Sequence, residues 1–244
     1  ETSEEIAIWE GNKLTKEEAS KISGVETVLW NDQFENILPL ILAQTKDIYL
    51  EKNEHIRSKT KVETAQDRFI KKIKTEFSSH NIKRSYPILS ELRMVKNDIE
   101  VTQIQKACDI TEMGFRRVLD FIKPGVWEYE IEAEYSHEFL NNRSKGFAYQ
   151  PIIASGINSC CLHYNTNNMQ CKDGEMVLMD VGSEYANYRS DMTRTVPING
   201  KFSKRQLQIY NAVLNVKNEA NKILRPGTSI DKYHKEIVKI MESE

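Results

Sequence analysis

From Met176 to Val196 the chain reads as two strand-forming runs around a short turn, and each run carries an aspartate. The first is Met176-Val177-Leu178-Met179-Asp180-Val181-Gly182-Ser183; the second holds Asp191-Met192-Thr193-Arg194-Thr195-Val196. With Tyr185 to Asn187 as the turn, the runs pair antiparallel and residue 180 lies beside 191 or 192. Directly opposed Cβ atoms in such a ladder are about 5 Å apart, so the pairing brings two like charges together. An acid inside an apolar strand calls for a reason. One is a wet edge position or a partner arginine, for which Arg189 and Arg194 are near in sequence. The other is a bound divalent metal: carboxylates are hard oxygen ligands, and an acid shared by two ions suits a two-metal hydrolytic site. Two acids are only part of such a site, so the rest of the chain must decide.

Composition narrows the field. At 244 residues the chain can make one large domain or two ordinary ones. The formal net charge of −2 gives no overall field for nucleic acid or anionic lipid, so no nucleic-acid partner is expected. No apolar run nears the roughly 20 residues that span a bilayer, and no signal peptide is expected at the start, so no membrane role is expected either. The cysteines are Cys108, Cys160, Cys161 and Cys171; two are neighbours, and a vicinal pair closes only a strained ring. A reducing, cytoplasmic setting is the simpler expectation. Cys160, Cys161, His163 and Cys171 match no usual Cys/His zinc spacing. The chain opens at Glu1 without methionine and stops at Glu242-Ser243-Glu244 directly after a helical pattern, as expected of a sequence cut at both ends.

The first part alternates strand and helix signals and predicts an α/β layer. Ile6-Ala7-Ile8-Trp9 reads as a strand, and Thr15-Lys16-Glu17-Glu18 as a capping box opening a helix. Phe34 to Ala43 reads as a helix, and Asp47 to Leu50 as a strand. Val62 to Phe77 reads as an amphipathic helix with Ala65, Phe69, Ile70 and Ile73 on one face. Asn81 to Leu92, with Pro87 inside, reads as an extended connector, which divides the chain into domains 1–87 and 88–244. The second part opens with a long helix over Asp98 to Ile122, stopped at Lys123-Pro124-Gly125, and a second over Glu128 to Asn141. Three strand-like stretches follow: Pro151 to Ser155, Val177 to Ser183 and Tyr188 to Val196. Ser203 and Gln206 cap a third helix that ends at Arg225-Pro226-Gly227, before a fourth over Ser229 to Met241. The two Pro-Gly helix junctions suggest a duplicated helix-helix-sheet unit: the first copy has its sheet, the second only its helices.

An ordered set of motifs carries a family resemblance. Gly156-Ile157-Asn158, Leu162-His163-Tyr164, Asp173-Gly174-Glu175-Met176-Val177-Leu178-Met179-Asp180 and Asp191-Met192-Thr193-Arg194-Thr195 resemble the motif series of the proline-specific metallopeptidases with the pita-bread fold. Within these the pattern is most similar to the Xaa-Pro aminopeptidase (aminopeptidase P) family. The similarity continues through Gly200-Lys201-Phe202-Ser203 and Arg225-Pro226-Gly227-Thr228-Ser229, covering about 88 to 244 well and 1 to 87 more loosely. The resemblance implies the end of an α/β N-terminal domain followed by the first half of a duplicated pita-bread domain, an α/β (α+β) fold.

The resemblance also implies a dinuclear metal site, usually manganese, held by five side chains. Asp180 matches the aspartate that chelates one ion, and Asp191 the aspartate that bridges both. The remaining ligands, a His and two Glu, have no match here; His234 falls too early. His163 matches an active-site histidine outside the metal shell, which contacts substrate near the scissile bond. Thr193 is expected to hydrogen-bond a ligand carboxylate, and Arg194 to lie behind the acids. Gly156 and Asn158 are expected to aim the loop, while Glu175 and Glu184 are expected at the surface. The implied substrates are peptides with proline at the second position, and the family is often oligomeric. With two ligands of five, the 244-residue chain alone is expected to hold metal weakly and to be inactive. The alternatives are a prolidase, which cuts only Xaa-Pro dipeptides, and a non-catalytic pita-bread module that binds peptides or proteins. Methionine aminopeptidases share the fold but usually lack a counterpart of residues 1–87.

Overall fold

The computed structural model describes residues 3–52, 54 and 62–243; Glu1 and Glu244, the chain ends read above as cut, lie outside the described residues. Two compact units are present, Glu1–Val95 and Lys96–Glu244. Among the described residues no helix is long and apolar enough to cross a membrane.

The first unit is an α/β layer. It runs α1 (Glu4–Glu10), α2 (Lys16–Ser23), α3 (Phe34–Leu42), β1 (Asp47–Leu50), α4 (Ala65–Glu76), β2 (Asn81–Arg84) and α5 (Tyr86–Met94). The predicted capping box forms: the Glu18 N–H donates to Thr15 Oγ1, and the Thr15 N–H donates to Glu18 Oε2. Strands β1 and β2 are parallel, with Asp47 opposite Asn81, and parallel neighbours need a crossover, which α4 supplies. Leu42, Ile48 and Ile73 are buried where α3, β1 and α4 meet.

Two expectations are corrected in this unit. Ile6-Ala7-Ile8-Trp9 belongs to α1 and is not a strand. The Ile6 N–H donates to Ser3 Oγ at 3.1 Å, and Glu4 and Glu5 occupy the first turn, where acids are favoured. Four apolar residues carry too little periodicity to separate strand from helix. The stretch 81–92 is no extended connector: it is β2 followed by α5. Pro87 sits in the first turn of α5, where its missing N–H has no helical acceptor to lose. The division expected at 87/88 therefore falls inside α5, whereas the two units part between Val95 and Lys96.

The second unit contains α6 (Asp98–Phe121), α7 (Glu128–Asn141), β3 (Ile152–Ser155), β4 (Met176–Val181), β5 (Glu184–Tyr185), β6 (Tyr188–Arg189), β7 (Met192–Pro197), α8 (Lys204–Ile223) and α9 (Ile230–Ser243). Strands β3, β4 and β7 form one antiparallel sheet in that order. Along β4 the pleat alternates: Val177, Met179 and Val181 are buried, while Met176, Leu178 and Asp180 are partly exposed. The buried set joins Ile110 and Val118 of α6 and Ile131, Tyr135 and Phe139 of α7 in one core. The helices thus cover one face of the sheet, and Asp180 projects from the other.

The hairpin differs from expectation by one residue. Tyr185 pairs with Tyr188, so the turn is Ala186-Asn187, both at positive φ (50° and 65°). Such a turn matches the right-handed twist of the strands it joins. The shorter turn shifts the register: Asp180 faces Thr193 and Val181 faces Met192. The predicted pairing of residue 180 with 191 or 192 is corrected accordingly. The second run is also interrupted at Ser190-Asp191, which separates β6 from β7.

Both Pro-Gly junctions are built alike. Gly125, after α6, has φ 96° and Gly227, after α8, has φ 87°, in the region that glycine enters without steric cost. Each is followed by a helix of 14 residues, α7 and α9.

Candidate functional site

Asp180 and Asp191 converge through the sheet. Asp180 lies opposite Thr193, and Asp191 stands two residues before Thr193, so all three side chains share one face. The hydroxyl of Tyr149 reaches both acids, 2.6 Å from Asp180 Oδ1 and 3.1 Å from Asp191 Oδ1. A single phenol proton is thus shared between two groups that only accept. Burial, then the hydrogen bond to Asp180 and the charge of both carboxylates, raise the Tyr149 hydroxyl above the ordinary tyrosine range, which keeps it a donor.

The segment before β3 aims Tyr149. The Ala148 N–H donates to the Gly182 carbonyl at 2.8 Å, and Phe147 bridges to Ser183. Gly182 is required by close approach: a Cβ there would lie 1.9 Å from the Ser190 carbonyl oxygen and 3.2 Å from the Tyr149 ring. Asp191 is fixed through its neighbour. Buried Ser190 Oγ is 2.7 Å from Thr111 Oγ1, the Ser183 N–H meets both hydroxyls at 2.9 and 3.0 Å, and Ser183 Oγ donates to the Ala107 carbonyl at 2.8 Å. This hydroxyl network ties the hairpin to α6. Beyond it, Asp191 borders a cleft of about 410 Å³ lined also by Phe115, Met192 and Arg194.

Neither nearby arginine pairs with the acids. Arg189 Nη2 lies 2.9 Å from Glu184, and Arg194 Nη1 donates to the Thr193 carbonyl at 2.8 Å. The mundane explanation for strand aspartates, an arginine partner, is therefore not the one realised by Arg189 or Arg194. Asp180 is partly exposed and Asp191 exposed; the two are acceptor-only oxygen donors on one sheet face, and such donors suit a hard divalent cation. Among the described residues no cluster of three or more His, Cys, Asp or Glu side chains that could hold a metal ion is formed. Cys160, Cys161, His163 and Cys171 form no such cluster either: Cys171 is buried while Cys160 and Cys161 are exposed.

The other predicted residues are placed less closely. Thr193 faces Asp180 across the ladder, but no hydrogen bond joins its hydroxyl to that carboxylate among the described residues. His163 is exposed on the loop that leaves β3 through a 3-10 turn at Gly156–Cys160, and its ring makes no hydrogen bond among the described residues. His234 lies on α9 beside Tyr233, with ring centroids 6.2 Å apart. Two further residues carry no local mark in the sequence. Tyr149 is an aromatic before a strand, and its role shows only through acids 31 and 42 residues away. Glu128 begins α7, where an acid is unremarkable, yet it is fully buried.

The chain resembles known proteins in sequence and fold. The sequence model described as metallopeptidase family M24 matches residues 102–244. The model described as the aminopeptidase P N-terminal domain matches residues 1–49. A Haemophilus influenzae protein named Xaa-Pro aminopeptidase is 35% identical over 235 residues, covering 96% of this chain and 52% of the relative. An Escherichia coli protein of the same name is 33% identical over 237 residues, covering 97% of this chain and 54% of the relative. The chain thus spans about half the length of the curated relatives it matches. Among solved structures, proline aminopeptidase P II from Yersinia pestis superposes with a TM-score of 0.84 at 31% identity, covering 98% of this chain and 55% of that one. Zinc-substituted E. coli aminopeptidase P in complex with product gives 0.86 at 30%, covering 99% and 55%. Likeness at this level shows that the fold is that of these enzymes, the α/β N-terminal layer and first half of the pita-bread domain expected from the sequence.

Proposed function

The chain belongs to the metallopeptidase family M24, and on that premise we propose that the whole protein is an Xaa-Pro aminopeptidase, releasing an N-terminal residue that is followed by proline. The observation that carries this reading is the convergence of Asp180 and Asp191 on one tyrosine hydroxyl, with neither nearby arginine paired to them. In this reading Asp180 and Asp191 would be among the side chains that hold two divalent ions, manganese being the metal we assign. Bound there, such ions supply a water that ionises near neutral pH and polarise the scissile carbonyl.

The chain's own side chains do the rest. Tyr149 donates to both carboxylates and holds their oxygens in a fixed relation, as hydrogen bonds around a metal site do. Thr193, opposite Asp180, is assigned to steady that carboxylate. His163 is assigned to the scissile carbonyl oxygen, where a donor stabilises charge that develops during attack. Proline makes the scissile bond a tertiary amide with no N–H, so the site must accept the ring rather than read that donor. All four cysteines are free, which supports a cytoplasmic setting.

The test is release of the first residue from an Xaa-Pro-Xaa tripeptide by the whole protein with Mn²⁺. Asp180→Ala and Asp191→Ala are each expected to reduce turnover at least a thousandfold, roughly 4 kcal/mol of transition-state stabilisation. Wild-type turnover no greater than that of Asp191→Ala would sink the reading, and cleavage confined to dipeptides would make the enzyme a prolidase. The 244-residue chain alone, with two carboxylates of the ligand set, is expected to give no proline-specific turnover.

A further inference from the structure

Glu128 is the first residue of α7 and is completely buried. Burying a carboxylate is unfavourable unless it is paired or hydrogen-bonded. No salt bridge meets Glu128 among the described residues; five donors do. Oε1 accepts from the Ser155 N–H at 2.7 Å, the Ser155 hydroxyl at 2.7 Å and Asn158 Nδ2 at 3.3 Å. Oε2 accepts from the Tyr164 hydroxyl at 2.8 Å and the Met169 N–H at 2.9 Å. A carboxylate is the one side chain that accepts on both oxygens and donates nothing, so it matches an all-donor set. Its place in the first turn of α7, at the positive end of the helix dipole, favours the charge further.

These donors belong to one loop. Ser155 ends β3, Asn158 lies in the 3-10 turn, and Tyr164 immediately follows His163. Met169 closes the loop, and its carbonyl accepts from the Glu128 N–H at 3.0 Å. Asn167 reinforces the same end: its Oδ1 accepts from the Ile153 N–H at 3.0 Å, and its Nδ2 donates to Glu132, one turn along α7, at 2.8 Å. The exposed tip, Cys160 to His163, has little packing of its own. Its shape is set from beneath, on both sides of His163, by Asn158 and Tyr164.

From this geometry we infer that Glu128 is a positioning residue for His163: a buried carboxylate that fixes the loop on which the histidine is presented to substrate. The inference rests on the role assigned to His163 above. A group acting on charge that develops only in the transition state affects kcat rather than KM when displaced. Glu128→Gln preserves size but turns one accepting oxygen into an amide NH₂, which must then face donors.

The experiment measures tripeptide turnover by the whole protein and amide hydrogen exchange at Ser155 and Met169, in wild type, Glu128→Gln, His163→Ala and the double variant. Glu128→Gln is expected to lower kcat by about tenfold to a hundredfold at nearly unchanged KM, as a displacement near 1 Å does. It is also expected to speed exchange at both amides, and to add nothing to the loss in His163→Ala. Tyr164→Phe removes one donor while Glu128 Oε2 keeps the Met169 N–H, so it is the milder change: it is expected to fold even where Glu128→Gln does not and to show the same pattern more weakly. Wild-type exchange at both amides in Glu128→Gln and Tyr164→Phe, or losses that multiply in the double variant, would overturn the inference. If wild type itself turns over no Xaa-Pro peptide, the functional reading falls, and amide exchange alone then decides whether Glu128 holds the loop.

Discussion

The hairpin that carries Asp180 and Asp191 and the loop that carries His163 solve one problem in two ways. Both must hold polar side chains in a fixed place. The hairpin does so chiefly with sheet register, the Ser183, Ser190 and Thr111 hydroxyls adding a tie to α6 beside Asp191: β4 pairs with β3 on one side and β7 on the other, and every second residue of β4 enters the core. The loop has neither ladder nor apolar core of its own. It is held by buried side chains: Glu128 reaches its backbone from α7, and Asn167, within the loop, accepts from the backbone of β3. Position set by register depends less on any one polar side chain and is intolerant of altered backbone spacing. Position set by buried hydrogen bonds is the reverse, because each unmatched donor carries its full desolvation penalty.

That contrast is broken most forcefully at Gly182. A Cβ there meets backbone at 1.9 Å, which no rotamer change relieves. Gly182→Ala is expected to destabilise the second unit by about 3 kcal/mol, lowering Tm by on the order of 10 °C. Hydrogen exchange should speed at Ser183 and Ser190, whose contacts cross this point, while the Met169 amide keeps its protection. A stable Gly182→Ala protein with unchanged exchange would show that the hairpin is not set by this close approach.

Asn167→Ala attacks the loop instead. It strips the Ile153 N–H, in a fully buried strand residue, of its acceptor, and it places alanine at φ 48°, a region asparagine tolerates better. The expected loss is about 2 kcal/mol by denaturant unfolding. Exchange should speed around Ile153 and the loop, with the Tyr149 contacts to Asp180 and Asp191 retained. Equal disturbance of hairpin and loop would mean that the two are one cooperative piece and the contrast is false.

The same contrast explains what the sequence discloses. Strand acids, capping boxes and Pro-Gly stops are local patterns, so Asp180, Asp191, the Thr15 and Ser203 helix starts and the junctions at Pro124 and Pro226 were legible. Asp180 and Asp191 come together despite a register error of one residue, because a two-residue turn leaves both on one face. Tyr149, Glu128 and Asn167 were not legible. Each looks ordinary in its segment, and each acquires meaning from partners 14 to 42 residues away. The four-residue run Ile6 to Trp9 and the stretch around Pro87 failed for a different reason: local propensity permits two conformations, and the first-turn context of each helix decides between them.

The smallest expected effect is chemical rather than energetic, and it probes how firmly the loop is closed. Cys160 and Cys161 sit on the exposed tip, whereas Cys171 is buried just beyond Met169, where its N–H donates to the Val126 carbonyl at 2.8 Å. Burial, then the nearby charge of Glu128, pushes the Cys171 thiol up to about 11, so little thiolate exists near pH 8. Raising the pH toward 11 favours the thiolate, and reactivity at Cys171 should rise through that range if the site can be reached. At pH 8, iodoacetamide is expected to modify Cys160 and Cys161 well before Cys171, as read by mass spectrometry of the digested chain. Labelling confined to Cys160 and Cys161 should leave the hairpin unaffected, since both lie on the exposed tip, whereas Cys171 shares a core with Val177, Met179 and Val181 of β4. If Cys171 is alkylated as fast as the tip cysteines, the loop opens to its base under native conditions. Buried hydrogen bonds would then be a weaker clamp than sheet register, and not an equivalent one.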